Sequence, residues 1–262
     1  MKHISSRDNP QFKELKHLAT SPQARRRERK TLLDGTHLCQ AYWQHLGAPL
    51  LCVVAESSVQ HAEVADLLAL CENENVLSLC LGDALYQQVS QVENGIGILF
   101  LIATPEAILP GSFSATAVAL DNLQDPGNMG SILRSAAAAG IRDILCSHGT
   151  VSAWSPKVMR AGMGAHFLLN IVEGVDLSSA LQATNTPILA TSSHAQKTIY
   201  QVNLNQTVIW LFGHEGQGVS DELLALATQT VTIPQRPEIE SLNVAASAAI
   251  CFFEQVRQKA HC

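Results

Sequence analysis

Short apolar runs separated by stretches with helical spacing recur along the whole chain, and that alternation constrains its fold more than any other feature. Asn9 before Pro10 has the form of an N-cap and first helical position, with Phe12, Leu15 and Leu18 three apart on one face. After Asp34-Gly35 come a helical stretch near Leu38 to Leu46, an apolar strand at 50–55 and a helix carrying Val59, Val64, Leu67 and Leu68. Strand VLSLCL, a helix and strand GIGILFLIA complete this half. The turn-rich segment 105–114 reads as a linker. A second alternation follows: strand TAVALDN, a helix from about Asn128 through Ala139, strand DILCS, a helix near Pro156, strand HFLLNIV and a helix near Leu177. Strands PILATS and TVIWLFG, a helix from Val219, strand TVTIP and a final helix from Asn243 to about Lys259 end it. Strands alternating with helices predict parallel β-strands covered on both faces, in two α/β domains over 1–104 and 115–262. The halves share this rhythm but no residue pattern, so there is no internal repeat.

With 262 residues, 47% hydrophobic and 15% charged, the chain has material for a sizeable core and too few charges for disorder. The longest apolar stretch, Gly95 to Ala103, falls well short of a membrane span, and the first residues lack the apolar run of a signal peptide. The seven cysteines (Cys39, Cys52, Cys71, Cys80, Cys146, Cys251, Cys262) include no C-x-x-C pair and lie mostly in apolar runs. They read as buried hydrophobes of a reducing cytoplasm. The ten histidines show no H-E-x-x-H spacing, so no metal site is expected.

A net charge of −6 argues against polyanion binding by bulk electrostatics, but the distribution is uneven. Through residue 50 nine lysines and arginines face four acidic residues, +5, which leaves −11 for the remainder. No Lys or Arg occurs from 51 to 133. The run Arg25, Arg26, Arg27, Arg29 is equally consistent with a solvated helix face and with phosphate contact.

In open α/β sheets ligands bind beyond the carboxyl ends of strands, and three such loops are chemically unusual. In the first, Asp121 to Gly130, Asn128 is either a helix N-cap or a functional amide. Arg134 follows among Ile132, Leu133 and alanines, a costly place for a guanidinium without a partner or a cavity. The second, Gly213-His214-Glu215-Gly216-Gln217-Gly218, either makes tight turns or lets backbone approach a ligand. Its spacing is not G-x-G-x-x-G, and no G-K-[ST] occurs, which disfavours a nicotinamide-dependent oxidoreductase and a P-loop nucleotide. The third joins Ile233-Pro234 to Ser241-Leu242-Asn243-Val244, where Ser241 or Asn243 is also a candidate cap.

In this order and at these distances the three loops resemble the SpoU/TrmH family of RNA ribose 2'-O-methyltransferases, within the SPOUT superfamily. The matching residues are Asn128-x-Gly130-x-x-x-Arg134, Gly213-x-Glu215-Gly216-x-Gly218, and Ile233-Pro234 with Ser241-Leu242-Asn243-Val244. Ser155 to Ala165 is similar to the family's S-x-K-x-x-R-A-S-x-G-A segment. The first hundred residues resemble its substrate-binding domain through Ile4-Ser5-Ser6, Asn9-Pro10 with Phe12-Lys13, the arginine run and Leu33-Asp34-Gly35, where Glu-Gly is usual. Gln235 replaces the usual Met, and Pro237 stands where Gly is common.

The resemblance implies an N-terminal RNA substrate-binding domain over 1–104 and a C-terminal parallel-sheet methyltransferase domain over 115–262 with a deep trefoil knot. It further implies a cytoplasmic homodimer that methylates a ribose 2'-hydroxyl using S-adenosylmethionine and no metal. Ribosomal RNA is the favoured substrate, tRNA the alternative; a non-catalytic RNA-binding module is the competing class. The implied catalytic set is Asn128, Arg134, Glu215, Ser241 and Asn243. Gly213, Glu215, Gly216, Gly218, Ile233, Leu242 and Asn243 would hold the cofactor, and Arg25, Arg26, Arg27, Arg29 and Arg160 would contact RNA.

Overall fold

A computed structural model describes residues 1–92, 95–239 and 241–260. Cys262, named among the cysteines above, and Glu240, which precedes Ser241, lie outside the described residues. The chain divides into two units, Met1–Glu106 with Trp154–Phe167, and Ala107–Ala153 with Leu168–Cys262.

The first unit is built on a five-stranded sheet. Its elements are β1 (Lys2–Ile4), α1 (Pro10–Thr20), α2 (Pro22–Glu28), β2 (Lys30–Asp34), α3 (Thr36–Leu46), β3 (Leu51–Ala55), α4 (Ala62–Asn73), β4 (Ser78–Leu81), α5 (Asp83–Tyr86) and β5 (Ile98–Ala103). The Asn9 side chain caps α1 by accepting from the Gln11 and Phe12 N–H groups. Phe12, Leu15 and Leu18 then bury against Leu79, Leu81 and Leu99, each contributing about 1.5–3 kcal/mol. Strand order is β1-β4-β3-β5-β2. The all-parallel expectation fails here, because β5 runs antiparallel to both β3 and β2. β2 itself escaped the sequence reading: KTLLD is only five residues, set between a charged run and Gly35. The Asp34 carboxylate is buried against the segment after α5, accepting from Ser90 Oγ at 2.8 Å and Gln91 N at 2.7 Å.

Residues 154–167 join this unit through a buried bond from Thr31 Oγ1 to Trp154 O at 3.0 Å. Within them α7 (Pro156–Gly162) ends at Met163, in the left-handed region with φ 49°. Here the expected strand HFLLNIV is corrected. Its first half is a 3-10 turn, Ala165–Leu168, because Gly164 at φ +86° redirects the chain and Phe167 packs on Tyr42.

The second unit carries β6 (Ala117–Leu120), α6 (Pro126–Ala138), β7 (Asp143–Ser147), β8 (Asn170–Val175), α8 (Leu177–Gln182), β9 (Ile188–Thr191), β10 (Ile209–Phe212), α9 (Asp221–Leu224), β11 (Gln229–Val231) and α10 (Val244–Lys259). All six strands are parallel, in the order β11-β9-β10-β6-β7-β8. After β6 the chain moves to β7 and β8; after β10 it moves the opposite way to β11. The carboxyl ends of β6 and β10, paired Phe212 to Leu120, are therefore the topological switch point, where such sheets open a crevice. The buried Gln255 side chain fastens α10 to this sheet, accepting from Trp210 Nε1 at 3.1 Å and donating to Thr116 Oγ1 and the Leu204 and Gln206 carbonyls. The six described cysteines are free and buried, and burial pushes the Cys146 and Cys251 thiols up, as expected of apolar packing residues.

Candidate functional site

The loops after β6 and β10 and the segment before α10 meet around a cavity of about 780 Å³ in the second unit. Asn128, Gly213 to Val219, Thr232, Ile233, Ser241, Leu242 and Asn243 are among its lining residues. Volume and mixed lining suit a nucleoside-sized ligand.

One carboxylate organises the three loops. Glu215 Oε1 accepts from the Asp125 N–H at 2.9 Å and from Asn128 Nδ2 at 3.1 Å, and Oε2 accepts from the Gln124 N–H at 3.1 Å. Asn128 Oδ1 in turn accepts from Asn243 Nδ2 at 2.8 Å, while Asn243 Oδ1 takes the Ala245 and Ala246 N–H groups. Each amide thus has a fixed orientation, and Glu215, Asn128 and Asn243 become one rigid unit across 115 residues of sequence. Desolvation works against charge on Glu215, but the donors from Asp125, Asn128 and Gln124 outweigh it and hold its carboxyl below the ordinary range. Glu215 is therefore a structural anion at neutral pH, already engaged by three N–H groups.

The helix N-caps differ from one alternative left open above. Asn128 is not the cap of α6: Asp125 is, accepting from the Asn128 N–H at 2.7 Å, with Pro126 at the first position. That frees the Asn128 side chain for Glu215 and Asn243. Asn243 does cap α10 and has its Nδ2 left for Asn128, so capping and site-building are both true of it.

Arg134 also needs correction. Ile132 and Leu133 are buried, but neighbouring helical positions point about 100° apart, and Arg134 is exposed on the opposite face of α6. It needs no compensating partner, and among the described residues it makes no hydrogen bond or ion pair. It does not line the cavity. Gly213 does, and its requirement is steric: a Cβ there would stand 2.1 Å from the Gly218 carbonyl carbon and oxygen. Gln235 lines the cavity and donates from Nε2 to the Ile239 carbonyl at 3.0 Å, closing a turn around Pro237. Gly216, Gly218, Ile233, Ser241 and Leu242 line it too.

The arginine run in the first unit is not one uniform face. Arg25 turns inward and donates to the Leu18 and Ala19 carbonyls at 2.6 and 3.3 Å, closing the end of α1. Arg27 pairs with Glu28 and Arg29 with Glu106, both at 2.9 Å and both with exposed guanidinium side chains. Arg26 is exposed without a partner among the described residues. Arg160 donates to the Gln91 carbonyl at 3.0 Å.

Sequence reasoning missed Gln124, whose Nε2 donates to Gly149 O at 2.6 Å and to Asn122, fixing the loop that presents its own N–H to Glu215. No local pattern marks it. Asp125-Pro126, in contrast, is a legible cap signature.

Residues 115–253 match the model of the SpoU rRNA Methylase family. An uncharacterised tRNA/rRNA methyltransferase from Synechocystis sp. is 32% identical over 98% of this chain and 94% of its own. The 23S rRNA (guanosine(2553)-2'-O)-methyltransferase RlmP of Bacillus subtilis is 26% identical over 97% and 98%. The crystal structure of an RNA 2'-O ribose methyltransferase, 30% identical, superposes with a TM-score of 0.81 over 98% of this chain and 99% of that one.

Proposed function

Because this chain belongs to the SpoU rRNA methylase family, we propose that it transfers a methyl group from S-adenosylmethionine to a ribose 2'-hydroxyl of structured RNA, ribosomal RNA before tRNA. The observation that carries this reading is the Glu215–Asn128–Asn243 unit bordering an open cavity at the sheet's switch point. The cavity suits the cofactor chemically. Gly213 admits close backbone approach, Ile233 and Leu242 offer apolar contact, and main-chain groups of the same loops can pair with an adenine edge. When bound, S-adenosylmethionine supplies a methyl group activated by its sulfonium.

The chain's own residues then have distinct tasks. Glu215, Asn128 and Asn243 keep the three loops in register. Arg134, with all five N–H donors available, orients the ribose hydroxyl and steadies negative charge developing on its oxygen; a guanidinium is too strongly protonated to be the base. Calorimetry tests the reading: S-adenosylhomocysteine should bind saturably and NAD should not. Saturable NAD binding with no response to the sulfur compound would overturn it.

RNA binding draws on the basic excess before residue 51. With Arg25 committed to α1, the phosphate contacts fall to Arg26, Arg27 and Arg29, joined by Arg160. Replacing Arg26, Arg27 and Arg29 by Ala should flatten the dependence of log affinity on log salt by up to about 3 units, roughly one per lost phosphate contact. Coincident lines for the two proteins would make the run a solvated face only.

A homodimer is supported by the outer face of α10, where Phe253 (48%) and Val256 (38%) are exposed; sedimentation equilibrium checks it. The knot is supported by the connection between β9 and β10, which bonds both to Thr232 as the chain leaves β11 and to Gln255 and Gln258 of α10. No helix among the described residues is long and apolar enough to cross a membrane, and the buried free thiols favour the cytoplasm.

A further inference from the structure

His214 is the first residue after Gly213 in the glycine loop, and nothing in the mechanism above uses its side chain. Its backbone closes the loop: its N–H donates to Gly218 O at 2.9 Å, and the Gly218 N–H donates back to His214 O at 2.8 Å. The half-buried imidazole bonds back to the same loop. Nδ1 accepts from the Gly216 N–H at 2.9 Å and from the Gln217 N–H at 3.2 Å. Two successive backbone N–H groups converging on one point form a concavity that demands a lone pair. Nδ1 therefore carries no proton, and the ring's single proton sits on Nε2. The ring also lines the cavity.

We infer that His214 is a positioning residue whose neutral imidazole holds the Gly213 to Gly218 loop closed, and that its protonation opens the loop and releases the cofactor. The inference rests on the methyl-donor reading of the cavity. A proton on Nδ1 sets an N–H against two N–H groups, losing both hydrogen bonds and replacing them with repulsion. Glu215, next in the chain, then loses the loop conformation that aims it at α6. The other titratable groups lining this cavity among the described residues are Glu215, Asp221 and His194. Glu215 stays ionised as the pH falls through the imidazole range, since its three donors hold it low. Asp221 is an exposed carboxylate at the start of α9, and His194 an exposed imidazole in the segment after β9; neither bonds to the His214 ring. Binding is thus full at the alkaline end and lost on acidification.

The test is S-adenosylhomocysteine affinity between about pH 8 and about pH 5, where imidazoles titrate, on the full chain. For the parent protein Kd should rise about tenfold per pH unit at the acid end. His214→Asn offers an Oδ1 acceptor where Nδ1 stands but cannot titrate. It should keep affinity within about threefold at pH 8 and show no acid limb, whereas His214→Ala should weaken binding about tenfold already at pH 8. His194→Asn should retain the acid limb. An acid limb in His214→Asn equal to the parent's, or parent-like binding by His214→Ala, overturns the inference. The ¹⁵N shifts of the His214 ring give a readout without cofactor: a proton on Nδ1 at pH 8 overturns it too. If the ring has the stated tautomer and no protein binds the sulfur compound at any pH, the methyl-donor reading fails instead.

Discussion

Arg134→Ala should reduce methyl transfer by at least about 10²–10³-fold in kcat, equivalent to about 3–4 kcal/mol of transition-state stabilisation, the usual cost of removing an aimed donor. Affinity for S-adenosylhomocysteine should stay within about threefold, because Arg134 does not line the cavity. The fold should be unaffected as well. The side chain is exposed and makes no bond within the described residues, so alanine, with its higher helix propensity, leaves α6 intact. Arg134→Lys should fail nearly as completely, since an ammonium cannot reproduce a planar fork of donors. Single-turnover methylation of the identified RNA, beside calorimetry and thermal melts, separates these effects. Near-parental turnover by the alanine variant would reduce Arg134 to a surface residue.

Gly213→Ala is expected to strike the other half of the reaction. Its Cβ would stand 2.1 Å from Gly218 C and O and 2.2 Å from Val219 N, and these are backbone atoms that cannot rotate aside. The loop must then open, which removes Glu215 from the end of α6 and strips the cavity of its glycine wall. Kd for S-adenosylhomocysteine should rise at least about 100-fold, with a stability loss of about 1–3 kcal/mol from overpacking. Gly111→Ala, where an added Cβ meets nothing within 4 Å, serves as the control and should bind normally. Unaltered affinity in Gly213→Ala would show that this loop does not hold the cofactor.

Which features were legible from sequence follows from the range over which each is encoded. The alternation of strands and helices, the Asn9 cap, the terminal helix from Asn243 and the three glycine and asparagine loops are local patterns, written within a few residues of where they act. The short strand β2 and the 3-10 turn at Ala165–Leu168 defeated the same reasoning. In the first, too few residues show a period; in the second, a left-handed glycine outweighs apolar spacing.

The sequence by itself determined the class of fold, the order of the motifs and the residue types available to the site, because periodicity, capping and turn chemistry act between near neighbours. Tertiary structure alone decided how those residues are used. Glu215 became a bound anion through partners 87 to 91 residues away, and Asn243 met Asn128 across 115. Arg134 was turned to the surface by the burial of Ile132 and Leu133, while Arg25 was drawn inward to the end of α1. Hydrogen-bond partners so far apart in the chain leave no local trace, since their meeting depends on strand order, and only the assembled sheet puts the ends of β6 and β10 side by side.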